Sequence, residues 1–263
     1  MIFFDAHCHL QDERFGSDLS GVFGRAQQAG VHFQAVKGTT EKDWIRVADL
    51  ATAHKSVHPS FGLHPWFLKY KTEQALERLV DFLDQFTQAG VGEIGIDPTP
   101  KGDAGVAMEL QEAVFLAQLK IAKERKRVVS IHCRSGWDRL LALLDQIGDL
   151  PDGWMVHCFG GSVEVAQALL HRGAYLSFSG TITRLNNRRA AEVMPIVPLN
   201  RILFETDAPD LLPRGIAGPL NEPAHLPGII EQAAQWRSEP FEQLVHASNA
   251  NARRLFFKED TLP

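Results

Sequence analysis

Short apolar runs alternate with amphipathic segments along the chain. In one such segment Leu76, Leu79 and Leu83 recur at the spacing of a single helix face, and similar patterns predict helices after most of the apolar runs. The apolar runs themselves predict eight strands, at residues 2–9, 31–37, 57–63, 91–96, 128–132, 154–157, 174–178 and 202–206. Strands and helices that alternate in this way are typical of a parallel α/β protein.

Eight strands are the number that closes a barrel, and 263 residues is a usual length for one. No linker, low-complexity segment or shift in composition marks a domain boundary. We therefore predict a single α/β domain over residues 1–263, a (β/α)8 barrel of the TIM type. A doubly wound open sheet is the alternative fold.

Polar residues mark several of the predicted helix starts. Thr40 with Asp43 has the spacing of a capping box, and so has Ser135 with Asp138. Ser162 predicts a cap for a helix that ends near residue 171. Residues 226–257 predict two further helices, which join near residues 239–240.

Composition and charge narrow the class of protein. Hydrophobic residues make up 44% of the chain and charged residues 22%, as in ordinary globular proteins. A net charge of −5 argues against binding nucleic acid through a broad basic face, but not against an enzyme whose metal ions meet the phosphates. Three cysteines without framework spacing suit a reducing compartment, and neither a signal peptide nor a spanning segment is apparent. We expect a cytoplasmic, soluble monomer with no membrane partner.

Metal-competent side chains collect at the predicted strand ends. Asp5, His7 and His9 follow one another at a spacing of two, which places their side chains on one face of an extended strand. Two buried imidazoles side by side need a partner, and a divalent metal uses both ring nitrogens at once. The further candidates, each at the end of a predicted strand, are Glu93, His132, His157 and Asp207.

The carboxyl ends of parallel barrel strands meet at one face, where active sites are built. Four histidines and two carboxylates from five strands predict a centre of one or two divalent ions at that face. Glu93, on a middle strand, is the candidate for bridging two ions. Six further histidines are interpreted as structural residues: His32, His54, His58, His171, His225 and His246.

Each of the three cysteines adjoins one of the candidate histidines. Cys8, Cys133 and Cys158 follow His7, His132 and His157 directly. Strand alternation predicts that their thiols face away from the metals, into the helix layer, as buried groups.

Six ordered motifs across nearly the whole chain resemble those of the TatD family of metal-dependent hydrolases. They are Asp5-Ala6-His7-Cys8-His9, Gly62-Leu63-His64-Pro65, Gly92-Glu93-Ile94-Gly95-Ile96-Asp97, Ile131-His132-Cys133-Arg134, His157-Cys158-Phe159-Gly160-Gly161 and Glu205-Thr206-Asp207-Ala208-Pro209, with Asn221 and Pro223 later in the chain. The family is similar to the amidohydrolase superfamily, so the resemblance implies a TIM-type barrel with a centre of one or two metals, zinc, manganese or magnesium.

The resemblance also implies how the ligands divide between the ions. His7, His9, Glu93 and Asp207 would surround one ion. Glu93, His132 and His157 would hold the second.

Two segments depart from the usual pattern of the family. Residues 98–102 stand where aromatic and basic residues are usual, and residues 135–137 replace a more usual acidic and small pair. Both follow strands that carry candidate ligands, so these departures concern the substrate more than the hydrolytic centre.

The ligand set, together with the lack of a nucleophilic Ser or Cys triad, predicts hydrolysis by a metal-bound water. Asp207 would orient that water and accept its proton, and Glu93 would bridge the metals. His64 and Arg134, just past strand ends, would contact a substrate phosphate.

The favoured function is a metal-dependent phosphodiesterase, a hydrolase of ester bonds of the TatD deoxyribonuclease type, acting on DNA or a small phosphodiester. The first alternative is hydrolysis of a small amide, ester or lactone on the same barrel. The second, from another class, is a non-catalytic binding protein that retains its metals.

Overall fold

Eight parallel strands form one sheet in the described part of the computed structural model, which comprises residues 1–99, 105–150 and 152–257. Neighbouring strands pair in the order of the chain, and each pair is parallel. The strands are β1 (Phe3–Cys8), β2 (Val31–Lys37), β3 (Val57–Phe61), β4 (Gly90–Ile96), β5 (Val129–Cys133), β6 (Trp154–Val156), β7 (Tyr175–Phe178) and β8 (Ile202–Phe204).

The first strand meets the chain that follows the last one, so the sheet closes. The amide of Asp207 donates to the carbonyl of His7 at 2.9 Å, and the amide of His9 donates to the carbonyl of Ala208 at 2.7 Å. The predicted (β/α)8 barrel is therefore confirmed, and the open doubly wound sheet is wrong. Because the strands are parallel, their carboxyl ends all meet at one face of the barrel.

Helices separate most of the strands and form an outer layer. In the described residues they are α1 (Leu19–Gln28), α2 (Glu41–Ala53), α3 (Ala75–Gln85), α4 (Met108–Glu124), α5 (Trp137–Ile147), α6 (Val163–His171), α7 (Arg188–Val193), α8 (Leu226–Arg237) and α9 (Phe241–Phe256). The stripe predicted in the third helix packs inward through Leu79 and Leu83, which are fully buried. None of these helices is long and apolar enough to cross a membrane.

One of the two predicted capping boxes forms. Thr40 and Asp43 exchange side-chain and backbone hydrogen bonds at the start of α2, and Ser162 caps α6 through the amide of Val165. The second box, Ser135 with Asp138, is wrong, because α5 begins after Gly136 without a side-chain cap. Ser135 instead has a left-handed backbone, with φ of 57°, in the turn that leaves β5.

Two apolar cores hold the barrel. The larger lies between the strands and the helices. The smaller lies at the amino ends of the strands, where Phe4 stacks between Phe33 and Phe256 with ring centroids 5.8 and 5.6 Å away. The end of α9 thus covers the amino face of the barrel and leaves the carboxyl face for polar side chains.

A buried carboxylate helps to close the barrel. Asp5 is fully buried, and its Oδ1 accepts the amide of Thr206 at 3.0 Å while its Oδ2 accepts the hydroxyl of the same residue. Burial raises the pKa of Asp5 to about 7. Asp5 therefore connects β1 to the end of β8, although it shares a strand with His7 and His9.

Replacing Asp5 tests this connection. The substitution Asp5→Ala leaves the amide and hydroxyl of Thr206 without an acceptor, so we expect it to lower the free energy of unfolding by about 1–3 kcal/mol. Asp5→Asn keeps an acceptor oxygen and should cost less. Urea unfolding of both variants measures the difference, and equal stability of the alanine variant and the unmodified protein would contradict the assigned role.

Candidate metal centre

The strand ends bring all six predicted ligands to the carboxyl face. His7 lies near the end of β1 and His9 just beyond it, and Glu93 and His132 lie within β4 and β5. The other two, His157 and Asp207, follow β6 and β8.

Local backbone geometry supports this convergence. Gly95 has a φ of 155°, and a Cβ atom there would lie 1.9 Å from the carbonyl oxygen of His132, so only glycine allows β4 and β5 to approach this closely. Asp207 has a left-handed backbone with φ of 58°. Non-glycine residues with such backbones are uncommon and are concentrated at functional sites.

One carboxylate oxygen of Glu93 lies in a group of four side-chain atoms, with the other three from His7, His9 and Asp207. Nε2 of His7 and Nε2 of His9 lie 3.3 Å apart, and each lies 3.3 Å from Oε2 of Glu93. Oδ1 of Asp207 lies 3.6 Å from the His7 nitrogen and 3.4 Å from the His9 nitrogen. Four ligand atoms placed tetrahedrally about 2.1 Å from a zinc-like ion would be about 3.4 Å apart. The spacing of these atoms therefore fits a shared divalent ion.

The other oxygen of Glu93 faces a second group of imidazoles. Oε1 lies 2.8 Å from Nε2 of His157, 2.9 Å from Nδ1 of His132 and 3.1 Å from Nε2 of His64. The two nearer nitrogens are 3.1 Å from each other. One carboxylate thus faces two sets of possible ligands, one with each oxygen.

Hydrogen bonds on the far side of the rings determine which nitrogen can bind a metal. Nδ1 of His9 lies 2.8 Å from the carbonyl oxygen of Lys37, and Nε2 of His132 lies 3.0 Å from Oδ2 of Asp97. Both partners are acceptors, so in the neutral rings these nitrogens carry the protons and the opposite nitrogens keep their lone pairs. Those lone pairs face Glu93.

His64 has the reverse arrangement. Its Nδ1 accepts the amide hydrogen of Trp66 at 3.1 Å, so in the neutral ring the proton lies on Nε2, which faces Glu93. Burial lowers the pKa of His64 to about 4, which keeps the ring neutral. Although His64 lies within reach of Glu93 and His132 as a possible ligand, this tautomer makes it a hydrogen-bond donor.

A buried carboxylate also lies behind His157. Oε1 of Glu205 is 3.4 Å from Nδ1 of His157, close enough for an ion pair but without the geometry of a hydrogen bond, and it accepts the amide of Cys158 at 2.6 Å. Nδ1 of His7 is a buried atom without a hydrogen-bond partner among the described residues. The side chain of Glu205 is fully buried, whereas that of Asp207 is 13% exposed, so Glu205 lies behind His157 and deeper than Asp207.

The charges of the cluster favour a cation. Burial tends to raise the pKa of Glu93, but His157 and His64 hold it well below its usual value. Burial opposes protonation of His9, but Asp207 and Glu93 outweigh it and raise the pKa of His9 well above its usual value. Carboxylates that favour a proton at this position would also favour a divalent ion, which binds the same ring nitrogens.

A cavity of about 790 Å³ opens onto this cluster. Besides the cluster, its walls carry cationic residues that the sequence patterns did not single out, namely Arg14, Lys42 and Arg46. Arg14 is bound to Asp12 and Asp210 with N–O distances of 2.9 and 2.8 Å. Much of the positive charge on the walls is therefore already paired with carboxylates.

The structure separates the two predicted phosphate contacts. His64 lines the cavity. Arg134 is exposed after β5 and is not among the cavity-lining residues. The sequence patterns also did not single out Asp97, which orients His132 through a hydrogen bond. Asp97 lies four residues after Glu93, and nothing in the local sequence indicates that it pairs with His132.

The expectation for the cysteines is correct for two of the three. Cys8 and Cys133 are buried in the larger core. Cys158 is only half-buried, has a left-handed backbone with φ of 43°, and places its Sγ 3.1 Å from Oγ of Ser179. It lies beyond the end of β6, so strand alternation does not govern its direction.

A centre of histidines and carboxylates at this end of a parallel barrel is the arrangement of a metal-dependent barrel hydrolase. The family described as TatD related DNase matches residues 4–257. The chain belongs to the TatD family of metal-dependent hydrolases.

Individual relatives agree with this family. The 3'-5' ssDNA/RNA exonuclease TatD of Shigella flexneri is 34% identical, over 96% of this chain and 98% of that protein. The uncharacterized metal-dependent hydrolase YabD of Bacillus subtilis is 31% identical over the same shares. The solved structure of the TatD homolog YJJV from Escherichia coli is 32% identical, has a TM-score of 0.91 and covers 97% of each chain.

The role of Asp97 can be tested through metal affinity. Asp97→Asn replaces the charged acceptor of the His132 ring proton with a neutral one, so we expect affinity for one ion to fall by roughly tenfold. Trp66→Phe is the matched control, because it removes the 2.8 Å bond from Nε1 of Trp66 to the same Oδ2 but leaves the His132 contact. Calorimetric titration of metal into both variants measures the effect, and equal affinities would contradict the role of Asp97.

Proposed function

We propose that this chain hydrolyses phosphodiester bonds of single-stranded nucleic acid at a centre of one or two divalent ions. The observation that carries the proposal is the division of the Glu93 carboxylate, whose two oxygens face separate sets of ring nitrogens within 3.3 Å. Two neighbouring ions can stabilise both the attacking and the leaving oxygen of a phosphodiester. The names of the exonuclease relatives support the same substrate class.

Six residues would hold the ions. His7, His9, Glu93 and Asp207 surround the first position, and Glu93, His132 and His157 surround the second. When bound, such ions act as Lewis acids and make water acidic enough to attack at neutral pH. Histidine ligands suit zinc, and carboxylates also accept manganese and magnesium.

Protein groups complete the chemistry. Asp207 lines the cavity and is 13% exposed, so its carboxylate can orient an attacking water and accept its proton. His64 carries its proton on the nitrogen that faces the cluster, where it can donate to a phosphate oxygen. Arg134 is proposed as a second phosphate contact for a substrate that extends beyond the cavity over β5.

One observation favours a second candidate function on the same centre. The carboxylates of Asp12 and Asp210 neutralise Arg14 in the cavity wall, which suits a small substrate of low charge. Hydrolysis of a small amide, ester or lactone is therefore the alternative. A binding protein that merely retains its metals would turn over none of these substrates.

Metal content tests the assignment of the ligands. Glu93→Ala should weaken the binding of both ions, because each ion loses a carboxylate oxygen. His9→Ala should weaken the binding of the first ion only, and His132→Ala should weaken the binding of the second ion only. Elemental analysis after dialysis against defined zinc concentrations measures the stoichiometry of each variant. If Glu93→Ala kept a full second ion, the bridging role would be wrong.

Activity tests the reaction. Metal-stripped protein, reloaded separately with zinc, manganese and magnesium, is assayed on single-stranded DNA and a phosphodiester chromogen beside an ester and a lactone. We expect DNA cleavage, and a loss of at least about 100-fold in kcat for Asp207→Asn, which removes a proton acceptor and a charged ligand. Asp210→Asn is the control, because Asp210 lines the same cavity but pairs with Arg14.

Two results would redirect the assignment. If the kcat of Asp207→Asn stayed within about tenfold of the unmodified protein, the role of Asp207 as proton acceptor would be wrong. Turnover of the ester or lactone with DNA untouched would assign the chain to carbonyl hydrolysis.

Three further proposals concern the location, the oligomeric state and the domain organisation of the protein. The scarcity of cysteine supports a location in the cytoplasm. We also propose a monomer, and a single domain over residues 1–263. Size-exclusion chromatography with light scattering measures the oligomeric state.

A further inference from the structure

A second cavity, of about 510 Å³, lies beside the metal cavity. Its apolar wall is formed by Ile45, Leu63, Phe67 and Tyr70. These residues belong to the start of α2 and to the segment that follows β3, so the cavity lies on the same carboxyl face as the metal centre. We call this cavity the side groove.

The side groove adjoins the metal cavity. Thr39, Thr40, Lys42 and Phe67 line both cavities. The amide of His64 donates to the carbonyl of Thr39 at 2.9 Å, so the shared wall is joined directly to a residue of the cluster. An elongated ligand with one bond at the metals would extend naturally into the side groove.

Two residues of the apolar wall are exposed to solvent. Tyr70 is 69% exposed and Ile45 is 54% exposed, two of the large hydrophobic side chains that the described surface presents. Nζ of Lys69 lies 5.0 Å from the centroid of the Tyr70 ring. Lys69 lies over one face of this ring, and a nucleobase can stack on an exposed aromatic face such as the opposite one.

The charges of the side groove are mainly positive. The one carboxylate of its lining, Glu41, is buried and accepts hydrogen bonds from Thr72 and Arg78, at 2.7 to 3.0 Å. Its charge is therefore balanced within the wall by Arg78. Lys42 and Lys71 add further positive charge, although Nζ of Lys42 lies 3.8 Å from Glu13.

We propose that the side groove binds the nucleotides next to the bond that is cut, with a base stacked on Tyr70 and phosphates near Lys42 and Lys71. This inference rests on the proposed function and names the path of its substrate. A nucleic-acid strand fits better than a second copy of the chain, because the side groove shares a wall with the metal cavity and carries positive charge next to its aromatic side chains.

The test separates a long substrate from a short one. Tyr70→Ala and Tyr70→Trp are compared on single-stranded oligonucleotides and on a small phosphodiester chromogen, which is too short to span both cavities. Because Tyr70→Ala removes the stacking surface for one base, we expect KM for the oligonucleotides to rise roughly tenfold in this variant. Tyr70→Trp should restore it, and kcat/KM for the chromogen should stay within twofold of the unmodified protein.

A control variant checks for a general effect of removing an exposed apolar residue. Ile196 is 38% exposed and lies before β8, at the amino face of the barrel. Ile196→Ala should leave the kinetic constants for both substrates unchanged. An oligonucleotide KM within twofold of the unmodified value in Tyr70→Ala would overturn the proposal.

Binding distinguishes failure of the groove from failure of the proposed function. If the metal-loaded protein cleaves no phosphodiester, the proposed function fails, and the fluorescence anisotropy of a labelled oligonucleotide still tests the groove. Weaker binding by Tyr70→Ala, rescued by Tyr70→Trp, would support the groove. Equal binding by both variants, or a change of oligomeric state in Tyr70→Ala, would overturn it, the latter in favour of a second copy of this chain.

Discussion

The polar face of the barrel depends on one buried carboxylate, that of Glu93, which is 3% exposed. Five imidazole nitrogens lie between 2.8 and 3.3 Å from its oxygens. Removing a carboxylate from water costs several kcal/mol, so it needs positive charge close by, from protons on histidines or from divalent ions. The imidazoles come from four different strand ends, and only the closed barrel brings them to the same point. The charge balance of the site therefore depends directly on closure of the barrel.

A second layer of contacts decides what each histidine can do. The carbonyl of Lys37 and the carboxylate of Asp97 accept hydrogen bonds from the ring N–H groups of His9 and His132, so in the neutral rings the lone pairs face Glu93. The amide of Trp66 has the opposite effect on His64, which keeps a proton facing the cluster. By distance alone all three rings could be ligands, whereas the hydrogen bonds suit two of them to bind a metal and one to donate a hydrogen bond.

The sequence alone allowed the barrel and the convergence of the six ligands to be predicted, because both follow from local rules. A spacing of two residues defines a strand face, and parallel strands share one polar end. Residues whose roles depend on distant partners could not be predicted in this way. Asp5 shares the spacing of His7 and His9 but binds Thr206, 201 positions later in the chain. Asp97 binds His132 across 35 positions, and no local pattern reveals either pairing.

The electrostatics of the cavity explain how a chain with net charge −5 can act on a polyanion. The guanidinium of Arg14 is bound to two carboxylates, so it contributes little net attraction for a phosphate. The attraction must then come from the metal centre itself, and a longer substrate needs contacts that do not depend on net charge. Stacking on an exposed ring such as Tyr70 supplies contacts of that kind, because every base has an aromatic face. In the proposed function, phosphate binding at the metals and base binding in the side groove would be complementary parts of one surface.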